Sequence, residues 1–185
     1  MSIIELFVIA VGVSMDAFAV SICKGLSVKT LKGTHLASVA FWFGGFQALM
    51  PLIGYFLGVR FADMVSNVDH WIAFALLGII GFNMVKESFS RETCELSPDF
   101  SFKTMLAMAV ATSIDALAVG VSLAFLKVDI WVAVSLIGIT TAAFSGLGLF
   151  VGNIFGCRYK SKAELAGGLI LIAIGLKILL EHTLA

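Results

Sequence analysis

Two aspartates stand in nearly the same apolar setting. Asp16 lies in S-M-D-A-F-A-V at 14–20, and Asp115 lies in S-I-D-A-L-A-V at 113–119. An ionised aspartate deep in hydrocarbon costs about 2.5–3.5 kcal/mol on insertion scales, so it is expected to face the protein interior or water and to have a task. Two carboxylates brought close together repel unless they share a proton or hold a cation between them. A divalent cation fits well, because two charges meet two.

Neutral oxygens extend this set. Gln47 precedes Pro51 by four residues in F-G-G-F-Q-A-L-M-P. Proline brings no amide hydrogen, so the Gln47 carbonyl loses its helical donor and the position offers a backbone and an amide oxygen. Thr140 and Thr141 hold the corresponding place in the second half of the chain, and Asn83 adds another amide. The expected metal ligands are Asp16, Asp115, Gln47, Thr141 and Asn83. Carboxylate, amide and hydroxyl oxygens favour hard cations such as magnesium, calcium or manganese over zinc or copper. Met15 and Met50 are close in sequence, but Met15 points about 100° away from Asp16 on a helix.

Other polar residues are less engaged. Lys177 is read either as a neutralising charge for an empty site or as a side chain reaching for the outer surface. Glu87 and Glu181 read as hydrated span ends. His35, His70 and His182 fall in loops or at span ends, and Cys23, Cys94 and Cys157 lack C-x-x-C spacing. None of these six reads as a metal ligand.

The elements that must position the acids are legible in the composition. The 185 residues are 60% hydrophobic and 13% charged, with a mean hydropathy of +1.06. Soluble domains are about half apolar and a quarter charged. The excess falls in six blocks, at about 3–23, 36–58, 70–86, 103–125, 130–152 and 164–181, each close to the length that crosses a bilayer core. The fold class expected is an all-α membrane protein with six transmembrane helices. The first block lacks a basic leader and is read as a retained helix. No G-x-x-x-x-G-K-[ST] string is present, and the loops leave no room for an ATP-hydrolysing domain.

Basic residues are unevenly placed. Loops after spans one, three and five hold Lys24, Lys29, Lys32, Lys86, Arg91, Lys103, Arg158, Lys160 and Lys162; the alternate loops hold Arg60 and Lys127. Nine against two places both termini on the outer side of the membrane. The cysteines then fall toward the cytoplasm, where thiols stay reduced.

Residues 14–22 and 113–121 are identical at five of nine positions, 99 residues apart. Further on, G-Y-F-L-G at 54–58 pairs with G-L-F-V-G at 148–152, and 81–87 pairs with 175–181, both 94 apart. The first loop is thus five residues longer than its counterpart. Two three-helix repeats, 1–92 and 93–185, are expected. Three is odd, so the copies enter the membrane in opposite directions, an arrangement recurrent among secondary transporters that bind substrate near the midplane.

The strings S-M-D-A-F-A-V-S-I-x-K-G, F-G-x-x-Q-A-x-M-P-L-I-G and A-T-S-I-D-A-L-A-V-G-V resemble the bacterial manganese efflux pump family, within a wider group of small exporters. The likeness runs along nearly the whole chain. It implies export of Mn²⁺ across the bacterial cytoplasmic (inner) membrane, with Asp16 and Asp115 as central residues. Some members carry an acid where this chain has Gln47, which lowers the charge of the site here.

Moving two charges outward against 100 mV costs about 4.6 kcal/mol, twice the single-charge figure. A channel would admit the ion, so export needs a counter-flow. The expected mechanism is alternating access, one repeat rocking against the other, with protons displacing Mn²⁺. The expected partners are Mn²⁺, protons and the lipid bilayer, without nucleic acid or resident cofactor, and a homo-oligomer is left open. Rival readings are export of Cd²⁺, Fe²⁺ or an amino acid, and a passive channel. An intramembrane aspartyl protease would need dissimilar settings for its two acids; no enzyme is expected.

Overall fold

The structure is a computed structural model that describes residues 2–28, 30–62, 69–89, 99–126, 128–155 and 160–183. These residues form helices and connecting turns, with no strand among them. The helices are α1 (Ile3–Ser27), α2 (Gly33–Val39), α3 (Gly45–Ala62), α4 (Asp69–Phe89), α5 (Phe102–Phe125), α6 (Ile130–Phe155) and α7 (Lys160–Thr183). A π-helical turn, Ala40–Gly44, joins α2 to α3. The outcome is six rods, whose ends lie within a few residues of the six blocks expected.

Among the described residues, four rods are long and apolar enough to cross a membrane: Ile3–Ser27, Gly33–Arg60, Phe102–Phe125 and Ile130–Phe155. Among the same residues, α4 and α7 contribute the apolar stretches Phe74–Asn83 and Leu165–Lys177. Large apolar side chains cover the outside, among them Phe41, Phe56, Ile79, Phe102, Trp131 and Ile139. Such a surface suits hydrocarbon as its solvent, and the buried glycines and serines mark where helix meets helix.

Local chemistry sets the ends and bends. Ser2 caps α1: its hydroxyl accepts from the Glu5 amide while the Glu5 carboxylate accepts from the Ser2 amide, a reciprocal arrangement that satisfies two otherwise orphaned donors. Within the second rod, the π turn ends just before Gln47, and Pro51 follows it inside α3. Both features interrupt the regular bonding ladder on either side of one polar residue.

Glycines decide which rods touch. A Cβ on Gly148 would stand 2.6 Å from the Phe18 carbonyl oxygen, and one on Gly152 would overlap that of Ile22. With Ser14 bonded to Thr141, these contacts make α1 and α6 parallel neighbours. A Cβ on Gly54 would overlap the Leu117 carbonyl oxygen, and one on Gly58 would lie 3.1 Å from that of Val121. Thus α3 and α5 are parallel neighbours as well. Gly81 faces Gly168 and Gly175 faces Phe74, so α4 and α7 pair antiparallel. The α1/α6 pair meets the α3/α5 pair where Gly44 approaches Ala142 and Gly138 approaches Ala48, again antiparallel. A core of Ile9, Val13, Leu77, Leu123, Ile137 and Leu171 fills the space between them.

Candidate metal centre

Asp16 on α1 and Asp115 on α5 come together. The Asp115 carboxyl group lies within hydrogen-bonding reach of that of Asp16, although 99 residues separate them. A hydrogen bond between them needs a proton on at least one of the two groups, since two ionised carboxylates have no hydrogen to share. Each acid is half-buried.

Gln47 lies between the helices that carry them. Its side chain is fully buried. The amide nitrogen donates to the Thr112 carbonyl at 2.8 Å and to the Val13 carbonyl at 3.5 Å. Each of these carbonyls belongs to the residue three positions before an aspartate. A helical carbonyl points toward the C-terminal end of its helix, and α1 and α5 run in opposite directions, so both point toward the level of the acids. With both hydrogens directed to carbonyls, the amide oxygen faces the other way. It is buried with no hydrogen-bond partner. A buried acceptor without a donor is costly, which makes Oε1 a position that a cation would satisfy.

Thr141 is also fully buried. Its hydroxyl lies 2.8 Å from that of Ser14, and Ser14 in turn donates to the Ala10 carbonyl at 2.6 Å. Thr141 is therefore the donor to Ser14, and its oxygen keeps lone pairs. Ser113 donates back along its own helix to Ala109 at 2.6 Å. Thr140 is buried next to them.

Asn83 is not with this group. Its side chain is exposed on α4, because the face of α4 that packs on α7 is the one bearing Leu77 and Gly81. Lys177 pairs with Glu5 across α1 and α7. The side chains of Glu87, Glu181, His70 and His182, and all of Cys94 and Cys157, lie outside the described residues. His35 stacks on Phe100 with ring centroids 4.5 Å apart. Among the described residues, no three His, Cys, Asp or Glu side chains gather. What gathers is two carboxyl groups with neutral oxygens around them.

Two polar residues escaped the sequence reading. Lys24 is buried, donates to the Asp99 carbonyl at 2.6 Å, and stands 5.2 Å from the centre of the Phe100 ring. Asn153 on α6 donates to the carbonyls of Gly25 at 3.2 Å and Val28 at 2.6 Å. Its only signal in the sequence is an isolated amide near the end of an apolar block.

The family model described as "Putative manganese efflux pump" matches residues 30–179. The chain belongs to this family. A relative from Acetivibrio thermocellus, named "Putative manganese efflux pump MntP", is 58% identical over 185 residues, covering 98% of this chain and 92% of its own. Relatives of the same name from Desulfitobacterium hafniense and Mannheimia succiniciproducens are 59% and 54% identical, covering 97% and 100% of this chain and 95% and 99% of theirs. No solved structure matches the chain.

Proposed function

We propose that the protein is a secondary transporter of the bacterial cytoplasmic membrane that exports Mn²⁺, binding the ion between Asp16 and Asp115 with Gln47 Oε1 as a third ligand. The observation that carries this reading is the meeting of the two carboxyl groups, flanked by a buried amide oxygen with no donor. Thr141, fully buried on α6 and carrying free lone pairs, is a candidate fourth ligand. Asn83 is left out. The names of the relatives support manganese as cargo, and an all-oxygen donor set is compatible with it.

The chemistry is an exchange. In the metal-free state both carboxyl groups are protonated, one of the two protons lying between them. Mn²⁺ arriving from the cytoplasm displaces both protons, because a dication neutralises both carboxylates at once. On the outer side protons return to the carboxyls and release the ion. Downhill proton entry supplies the work of moving two charges outward.

Six spans built as inverted repeats are part of this proposal. Contacts recurring at equivalent places support it. Gly54 against Leu117 corresponds to Gly148 against Phe18 under the offsets of 94 and 99, and Gly58 against Val121 corresponds to Gly152 against Ile22. The bias of basic residues supports termini on the outer side.

The test is radiolabelled Mn²⁺ flux in proteoliposomes with an imposed pH gradient. Flux should follow the gradient and fall at least about tenfold, equivalent to about 1.4 kcal/mol, in Asp16→Asn and Asp115→Asn. Flux insensitive to the gradient would eliminate proton exchange; unaltered flux in both variants would eliminate the site.

A further inference from the structure

We infer that the bodies that move during transport are not the two sequence repeats but two pairs that exchange helices between them, α1 with α6 and α3 with α5. This deepens the transport reading above and rests on it.

Each pair is joined along its length. Along α1 and α6 there are bonds or backbone contacts at four successive levels. Ser14 bonds Thr141, Gly148 meets Phe18, Gly152 meets Ile22, and Asn153 binds the carbonyls of Gly25 and Val28. The last of these supplies donors to the carbonyls that every helix leaves unsatisfied at its C-terminal end. Asn153 is thus a positioning residue that fastens the end of α1 to α6. Between α3 and α5, Gly54, Gly58 and Gly120 bring backbone against backbone. Packed contacts of this kind do not slide in small steps; they hold or they separate.

Contacts between the two pairs are fewer and more local. The long arm of the Gln47 amide, 3.5 Å to Val13, crosses from α3 to α1, whereas the short one, 2.8 Å to Thr112, stays within its own pair. Where α3 and its π turn cross α6, Gly44 and Gly138 approach each other's backbone and the side chains of Ala142 and Ala48, a single crossing of small residues. At the other end, Lys24 of α1 reaches the Asp99 carbonyl and the Phe100 ring just before α5. Besides the meeting of Asp16 and Asp115 at the site, these are a weak bond, a pivot of small residues and a latch.

The consequence concerns the site. Asp16 belongs to one body, and Asp115 with Gln47 belongs to the other. Rocking about the Gly44–Gly138 crossing parts the carboxyls, so the ligand set is complete in one arrangement and divided in the next. Opening the Lys24–Phe100 latch frees the ends of α1 and α5 nearest it.

The decisive experiment bridges cysteine pairs with a short bifunctional thiol reagent, in protein whose Cys23, Cys94 and Cys157 are replaced by alanine, reading Mn²⁺ efflux from proteoliposomes before and after bridging. Phe18 and Phe144 touch across α1 and α6, with ring centroids 6.0 Å apart. Bridged Phe18→Cys/Phe144→Cys should keep at least half of its unbridged efflux, and Val28→Cys/Asn153→Cys should do the same if the first pair fails to fold. Bridged Lys24→Cys/Phe100→Cys should lose efflux more than tenfold and regain it on reduction. If bridging α1 to α6 stops efflux as completely as closing the latch does, the repeats themselves move and the inference falls. Persistent efflux in Asp16→Asn, by contrast, would overturn the transport site and leave the pairing untouched.

Discussion

The Gln47 amide nitrogen lies 2.8 Å from the carbonyl oxygen of Thr112, three residues ahead of Asp115. The same nitrogen reaches, at 3.5 Å, the carbonyl three residues ahead of Asp16. One neutral side chain therefore contacts equivalent points on both acid-bearing helices.

That geometry separates three substitutions at position 47. Gln47→Leu removes the donors and the oxygen together. Loss of buried hydrogen bonds costs about 1–3 kcal/mol, or about 2–4 °C of Tm per kcal/mol for a chain of this size. Mn²⁺ should not restore it. Gln47→Glu, when ionised, cannot donate to either carbonyl and adds a third negative charge beside the pair. Its Tm without metal should fall as well, but Mn²⁺ should raise it further than in the parent protein. Gln47→Asn, one methylene shorter, should fall between the two. Tm with and without Mn²⁺ in detergent is the measurement; equal metal responses in all three would separate Gln47 from the site.

Glycine positions predict where the bundle has no slack. An added Cβ at Gly152 overlaps the Ile22 carbonyl, whereas one at Gly78 meets nothing within 4 Å. Gly152→Ala must push α6 from α1 and should lower Tm. Gly78→Ala, at an open helical position, should raise stability by up to about 1 kcal/mol through helix propensity. Thermal melts of the two variants side by side check this, and a Gly152→Ala protein as stable as its parent would contradict the close packing of α1 on α6.

The sequence made the six rods and the two acids readable for a physical reason. Hydrocarbon enforces long apolar runs, and an aspartate inside one stands out by its cost. Gln47 was readable too, through the proline four residues later. Lys24 was not, because its burial depends on Asp99 and Phe100, 75 and 76 residues away, and a lysine near a span end ordinarily reads as a solvated charge. Asn83 failed in the opposite sense. The offset of 94 pairs it with Lys177, but correspondence between repeats says nothing about which face of α4 is covered. Asn83 is exposed, and Lys177 pairs with Glu5.

This placement of Lys177 gives a further prediction. Its side chain is half-exposed and its partner is Glu5 near the start of α1. An exposed pair of this sort contributes about 0–1 kcal/mol. Lys177→Met should therefore lower Tm by no more than a few degrees and leave Mn²⁺ efflux within about twofold. Efflux abolished by Lys177→Met, with the Tm retained, would mean that the lysine acts as the counter-charge of the aspartates after all.

The start of α5 carries a titratable clasp. Hydrogen bonds from the Thr104 hydroxyl, the Ser101 amide and the Ser101 hydroxyl hold the Asp99 carboxyl below its ordinary value of 3.8, with Lys24 adding a smaller attraction. A carboxyl whose folded value is depressed stabilises the fold at every pH above its unfolded value, and that contribution disappears as the pH falls through the folded one. Between pH 7 and 5 the parent protein should thus show a stability advantage over Asp99→Asn that does not change with pH. Below about pH 4 the two melting curves should converge. Asp99 presents its backbone carbonyl to Lys24, so the substitution loosens the latch through the turn at residues 99–101 while leaving the lysine's own acceptor in place. Tm measured from pH 7 to 3 for both proteins is the check. A gap that persisted undiminished at pH 3 would show that the ionised carboxyl is not what secures the turn.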